Sequence, residues 1–216
     1  MPCTAPSPRS TIKRKSQRAH YDSASLHAVL DAAFVCHVAF ADGGSIHTIP
    51  TACWRQGEHL YIHGAHRGRM MEALLAGECC VSITHLDGLV LARSAFHHSM
   101  NYRSAVLYGR FEPVDDPSAK AASLAAFVDH VSPGRSAQVR APTPAELAGT
   151  VVLRMELTEA AVKIRNWGVE DAPDDLGHPV WAGVIPLALT ACAPEPDTLC
   201  GAHPQPALPA VLKAGA

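Results

Sequence analysis

Three short stretches carry residue types that could do chemistry. Gly88 to Arg110 reads GLVLARSAFHHSMNYRSAVLYGR, with strand-forming residues at both ends and Arg93, Ser94, His97, His98, Ser99, Asn101, Tyr102, Arg103 and Ser104 between them. Side chains alternate along a strand, so Ser99, Asn101 and Arg103 would share one face and Met100, Tyr102 and Ser104 the other. A strand polar on both faces must meet water, a ligand or another subunit, because a buried polar group without a partner is costly. Metal chemistry is disfavoured: His97 and His98 are consecutive, point apart in a strand and have no carboxylate beside them. Ser94 and Ser99 lack the GxSxG turn that exposes a serine nucleophile.

The second stretch, LYIHGAHRGR (60–69), ends a strand in glycine and enters a helix. Free backbone N–H groups at a helix start, with Arg67 and Arg69 adding fixed positive charge, make a seat for phosphate. Neither GxxxxGK[ST] nor GxGxxG is present, so the seat suits a mononucleotide phosphate rather than a Walker or Rossmann site. In the third stretch, IHTIPTACW (46–54), Pro50 lies inside a strand. Its missing N–H is tolerated at a sheet edge or beside a site that the ladder does not fill.

Several elements must position these residues. Asp22 or Ser23 can cap a helix with Leu26, Val29, Leu30 and Ala33 on one face. FVCHVAF (34–40), ADGGS, IHTIPTACWR, RQGEH and LYIHG read as strand, turn, strand, turn, strand. RGRMMEALLAGE (67–78) changes to a helical period, with Gly77 placed to end it. CCVSITHL and LVLARSAF flank Asp87–Gly88, a hairpin signal, and SAVLYGRFEPV reads as a further strand. SAKAASLAAFVDHV and TPAELAG read as helices, and TVVLRMELTEAAVKIRNW (150–167) as one long bent strand. The sum is an antiparallel barrel with helical additions.

Composition narrows the class. The 216 residues carry a formal charge of −2 with 48% hydrophobic residues, which describes an ordinary globular protein and excludes a nucleic-acid binder on charge grounds. No apolar run reaches the roughly 20 residues of a membrane helix, and no secretory signal follows the basic N-terminal cluster. That cluster suits a solvated arm or one packed on a partner subunit. Seven scattered cysteines without CxxC argue against a disulfide framework or structural zinc, and for a reducing cytoplasm. Thirteen histidines keep acid–base, metal and haem chemistry open.

IPTACWRQGEHLYIHGAHRGRMMEAL, LDGLVLARSAFHHSMNYRSAVLYGR and VWAGVIPL together resemble the pyridoxamine 5′-phosphate oxidase-like flavoproteins, in particular the 5-nitroimidazole-resistance branch. The resemblance runs from about Arg18 to Leu187 and implies a mainly β FMN-binding split barrel, antiparallel with peripheral helices. It implies a domain over 20–188, between a basic arm (1–19) and a Pro- and Ala-rich tail (189–216). It also implies a homodimer with flavin sites at the subunit interface, and no nucleic-acid or membrane partner. By the same resemblance His47, Thr48, Ile49, Pro50 and Thr51 lie along the isoalloxazine. His63, Gly64, Arg67, Gly68 and Arg69 bound the ribityl phosphate. Ser99, Asn101, Tyr102, Arg103 and Ser104 meet the cofactor or seal the dimer, and Trp181 flanks the flavin.

The expected activity is FMN-dependent electron or hydride transfer to a small flat acceptor, nitro-aromatics among them, with His63 as the first choice of acid–base group, His97 or His98 as the second, and no metal. The C-terminal Arg–Leu pair of the pyridoxamine phosphate oxidases is absent after Trp181, so oxidation of vitamin B6 is not implied. Two rivals remain: a haem- or flavin-binding sensor on the same barrel without turnover, and a scaffold with an empty cleft.

Overall fold

A computed structural model describes residues 4–66, 68–201 and 203–212. In chain order its elements are β1 (Ala19–His20), α1 (Ser23–Asp31), β2 (Val35–Asp42), β3 (Ser45–Gln56), β4 (His59–Ala65), α2 (Arg69–Ala76), β5 (Cys79–Leu91), β6 (Ser99–Gly109), β7 (Glu112–Pro113), α3 (Pro117–Val131), α4 (Pro144–Gly149), β8 (Thr150–Glu156), β9 (Ala160–Arg165) and β10 (Gly183–Pro186). They form two compact units that alternate along the chain: Met1–Asp31, Ser82–Tyr108 and Thr158–Ala188 in the first, Ala32–Val81, Gly109–Leu157 and Leu189–Ala216 in the second. Strand pairs in both are antiparallel, and the class is the mainly β split barrel with peripheral helices that the sequence implies.

In the first unit β9 pairs with β1 and with β6, and β10 pairs with the end of β5. α1 packs on β9 and buries Leu26, Val29 and Leu30, the face that the helical spacing predicts. Asp22 starts the helix by accepting from the Ser25 backbone N–H at 2.7 Å, the bond that also holds its carboxyl below the usual range. The basic arm is docked: Arg9 pairs with Glu159 at 2.6 Å and lies 4.9 Å over the Tyr108 ring, and Lys163 Nζ donates to the Arg14 carbonyl.

In the second unit the strand order is β2-β3-β4-β8-β7. Gly43 and Gly44 turn β2 into β3 with φ of 55° and 78°, a backbone that residues with a Cβ rarely adopt. Cys36, Val38, Cys53, Leu60, Ile62, Leu153 and Met155 are buried and make the core of this unit. Each large aliphatic side chain among them contributes about 1.5–3 kcal/mol. Pro144 at the start of α4 follows a complete capping box, Thr143 and Glu146 each bonding the other's backbone N–H.

Two elements differ from expectation. Asp87–Gly88 makes no turn; β5 runs through it without interruption. Asp87 is held by Arg103, and a Cβ on Gly88 would stand 3.1 Å from the Ile185 carbonyl, so this glycine admits β10 instead of turning the chain. TVVLRMELTEAAVKIRNW is two strands, β8 and β9, which pair in different units. The change falls at Leu157–Glu159, where the Leu157 N–H bonds the Glu58 carbonyl and the Tyr108 N–H bonds the Glu159 carbonyl.

Candidate functional site

In the second unit, β3 and β4 pair from Gln56↔His59 back to Cys53↔Ile62 and then part. Beyond that point β4 continues only with β8, through His63, Gly64 and Ala65. β3 before Cys53 keeps only β2 as a partner, with His47↔Phe40, Thr48↔Ala39, Ile49↔Val38, Pro50↔His37 and Thr51↔Cys36 in register. The other edge of His47–Thr51 therefore carries no ladder among the described residues. Pro50 takes its place on this half-open strand, where a missing N–H is tolerated.

The chain leaving β4 enters α2 through Gly68, whose position lacks a side-chain cap, so the first-turn N–H groups are not taken by one. Gly68 donates to the Ala65 carbonyl at 3.0 Å, and a Cβ on it would lie 3.2 Å from that oxygen. Arg69 opens α2 and reaches Asp42, at the end of β2, with 3.8 Å between Nε and Oδ2. Its side chain is 64% exposed, leaving most of the guanidinium open to a further anion. Arg67 lies outside the described residues. Gly64 makes room for Met71 of α2, whose Cε would stand 2.4 Å from a Cβ placed there.

His63 sits in an aromatic layer, with its ring 4.8 Å from Phe127 of α3 and 5.8 Å from Trp54 of β3. Burial lowers its pKa and favours the neutral imidazole, and its Nδ1 is buried without a hydrogen-bond partner. Trp54 Nε1 and Ser123 Oγ both donate to the Gln56 side-chain Oε1, at 3.2 and 2.8 Å. Phe127 and Ser123 share one stripe of α3, so this helix is what places His63.

In the first unit the polar strand is β6. Asn101 is buried and accepts from Arg165 Nη1. Arg103 makes a two-pronged pair with Asp87, both bonds 2.9 Å. Ser104 Oγ donates to the Lys163 carbonyl at 3.4 Å, while Ser99 and Tyr102 are half-buried. Asn101, Arg103 and Ser104 thus have side-chain partners within their own unit, whereas Ser99 and Tyr102, on opposite faces of the strand, make no side-chain hydrogen bond among the described residues. Trp181 is 63% exposed and folds its ring over Gly183, where a Cβ would come within 2.9 Å of it.

A Ser94–His97–Asp175 trio also emerges, but it is no relay. Ser94 Oγ at 2.9 Å and Asp175 Oδ2 at 3.7 Å both address Nδ1 of His97, whereas a relay needs opposite ring nitrogens. Arg165 is the residue that the sequence reading missed. It is 2% exposed, and besides Asn101 it donates to the Trp167 and Gly168 carbonyls at 2.6 and 2.7 Å. Its signal was a cation closing a largely apolar strand, AAVKIR, just before Asn-Trp-Gly.

Residues 22–164 match the pyridoxamine 5′-phosphate oxidase family, and the chain belongs to it. Among solved structures it is similar to the flavocytochrome Anf3 from Azotobacter vinelandii, at 37% identity over 96% of both chains with a TM-score of 0.88. The FAD and heme binding protein from Mycobacterium smegmatis follows at 34% identity, covering 90% of this chain and 95% of that one, with a TM-score of 0.82. A Bacteroides thetaiotaomicron protein described as a 5-nitroimidazole antibiotic resistance protein shares the fold at 19% identity, 68% and 86% coverage and a TM-score of 0.59. That branch is therefore a distant likeness. No curated protein matches.

Proposed function

We propose that this protein is a flavin-binding redox protein that works as a homodimer. The observation that carries the reading is the half-open edge of β3 at His47–Thr51 in the same unit as the uncapped start of α2. One offers backbone groups to the polar rim of a flat ring, the other offers N–H groups and Arg69 to a phosphate. Gly64 and Gly68 complete the phosphate end. Bound flavin would supply the electron or hydride transfer. The chain's own part is to orient the ring along β3, to neutralise the phosphate, and to keep His63 uncharged behind the aromatic layer. In a dimer Ser99, Tyr102 and Trp181 are available to a cofactor on a second subunit, with Asn101, Arg103 and Ser104 holding β6 in position.

The likeness to a flavocytochrome and to an FAD and heme binding protein supports flavin in general. FMN is the finer expectation, and a small flat acceptor such as a nitro-aromatic is the finer activity. The test is the absorption spectrum after incubation with FMN or with FAD and desalting. Retention of flavin is expected, with Arg69→Ala weakening it about tenfold through loss of a charge-assisted contact. A colourless protein after both incubations overturns the reading. If flavin is retained, nitro-aromatic reduction under a supplied reductant decides the acceptor.

A second reading, that haem is also bound, is favoured by the same two relatives. It fits the presence of imidazoles with one nitrogen already anchored, the arrangement an iron-binding histidine uses. His85 meets the Val29 carbonyl at 3.0 Å, His130 the Ala33 carbonyl at 2.7 Å, and His97 meets Ser94. A Soret band shifted from that of free haemin checks it, and an unshifted band removes it.

A further inference from the structure

The first unit contains a cavity of about 420 Å³ lined by Arg14, Lys15, Arg18, Lys163 and Arg165. Glu170 is the one carboxylate on its wall, and His97, His98, Ser99 and the 90% exposed ring of Phe96 close the lining. None of the five cations has a carboxylate within ion-pair distance among the described residues. Lys163 is spent on the Arg14 carbonyl, and Arg165 on Asn101 and two backbone carbonyls, all of them neutral.

Unpaired donors also lie on or next to two of the lining residues. Of the six buried side-chain N or O atoms without a hydrogen-bond partner among the described residues, three are Arg18 Nε, Arg165 Nε and Trp167 Nε1. All three can donate. They belong to one stack, with the Arg18 and Arg165 guanidinium carbons 5.1 and 4.8 Å from the Trp167 ring centre. Burial disfavours the charged form of Arg165 most, Arg18 adds to this, and Glu170 on the wall offsets only part of it, so the pair of like charges is incompletely balanced. Lys15 adds a further sign of constraint as the one non-glycine described residue with positive φ, 57°. A buried cation hydrogen-bonded only to neutral groups, in a cavity where five cations face a single carboxylate, calls for an anion.

We propose that this cavity is an anion site that takes the diphosphate of a nucleotide. Its volume exceeds what a single phosphate fills and falls within the ~300–1,000 Å³ of small-molecule sites. The cations come from two directions, Arg14, Lys15 and Arg18 on the arm and Lys163 and Arg165 on β9, which suits a pair of linked phosphates. Phe96 offers a flat apolar face at the rim for a base. The diphosphate could belong to FAD or to a separate nucleotide, and the site stands whether or not the flavin reading above does.

The test is titration calorimetry of the full chain with inorganic pyrophosphate and with ADP, alongside tryptophan emission. Saturable binding is expected at one ligand per chain, weakening as salt rises, with an emission change that Trp167→Phe removes. Arg165→Gln would disturb internal bonds, so the informative variants are Arg18→Gln, which loses only its stacking contact, and Lys15→Gln. Each should weaken pyrophosphate at least tenfold. Absence of binding, or wild-type affinity in both variants, overturns the proposal. Titrating flavin-free, FMN-loaded and FAD-loaded protein separates the sources. ADP bound by the first two but excluded by FAD assigns the diphosphate to FAD, and ADP bound by all three assigns it to a separate nucleotide.

Discussion

Burial holds the His63 imidazole below its ordinary pKa of 6.5, which sets the sign of a pH effect. The unfolded chain binds a proton there more readily than the folded one, so this contribution to stability is fully present above 6.5 and is lost as pH falls below it. Thermal melts at pH 7.5 and 5.5 should show a smaller acid-induced drop for His63→Phe than for the parent. An equal drop would mean that other groups set the pH dependence. Gly64 gives a second test. Gly64→Ala should cost about 1–2 kcal/mol by overpacking, because its Cβ meets Met71, and should cost markedly less in a Met71→Ala background. Denaturant melts of the two singles and the double check the non-additivity. Both positions were singled out from the sequence, His63 for chemistry and Gly64 for a phosphate. What the sequence did not hold was the ring of Phe127 behind His63, since that contact joins residues 64 positions apart.

β10 is four residues long and owes its place to Gly88, the position on β5 that leaves room for the Ile185 carbonyl. Gly88→Val should release β10 and Trp181 with it, seen as faster hydrogen exchange at 183–186 and a red shift in Trp181 emission. Unchanged exchange would show that β10 is held from elsewhere. α4 is held by its cap rather than by burial, for none of its residues is buried. Thr143→Ala should therefore cost about 1 kcal/mol of local stability, read as exchange across 144–149. The Arg140 bond pulls the Glu146 pKa down to about 2, so the stabilising charge of Glu146 is lost only as pH falls from 4.5 towards 2. The capping box was legible because its signal is four residues long. The Asp87–Gly88 pair was misread because turn residues report what a backbone can do, and a partner strand nearly a hundred residues away decided what it does.

A homodimer with flavin between subunits, as proposed, would make cofactor binding and assembly one equilibrium. Dilution should then release flavin together with dissociation, and added flavin should lower the concentration at which the dimer forms, measurable by sedimentation and flavin fluorescence in parallel. Flavin retained by a monomer would separate the two. No helix among the described residues is long and apolar enough to cross a membrane. Cys36, Cys53 and Cys79 are small buried residues: the Cys36 thiol is pushed up by its hydrogen bond with Cys53 and by burial, and burial pushes Cys79 up to about 12.

The sequence by itself determined what is encoded over short spans: the period of most strands and helices, the glycine turns after β2 and β3, the caps of α1 and α4, the uncapped start of α2 and the polar character of β6. These depend on backbone preference and on neighbours within a few residues. Only the tertiary structure decided where β3 and β4 part, that residues 150–165 divide between two units, that Asn101 and Arg103 are satisfied by Arg165 and Asp87, and that Arg18, Trp167 and Arg165 stack beside a cavity with five cations and one carboxylate. Each of those outcomes joins groups that are distant in the chain. Pairing, burial and charge balance act on distance in space, and no local pattern records it.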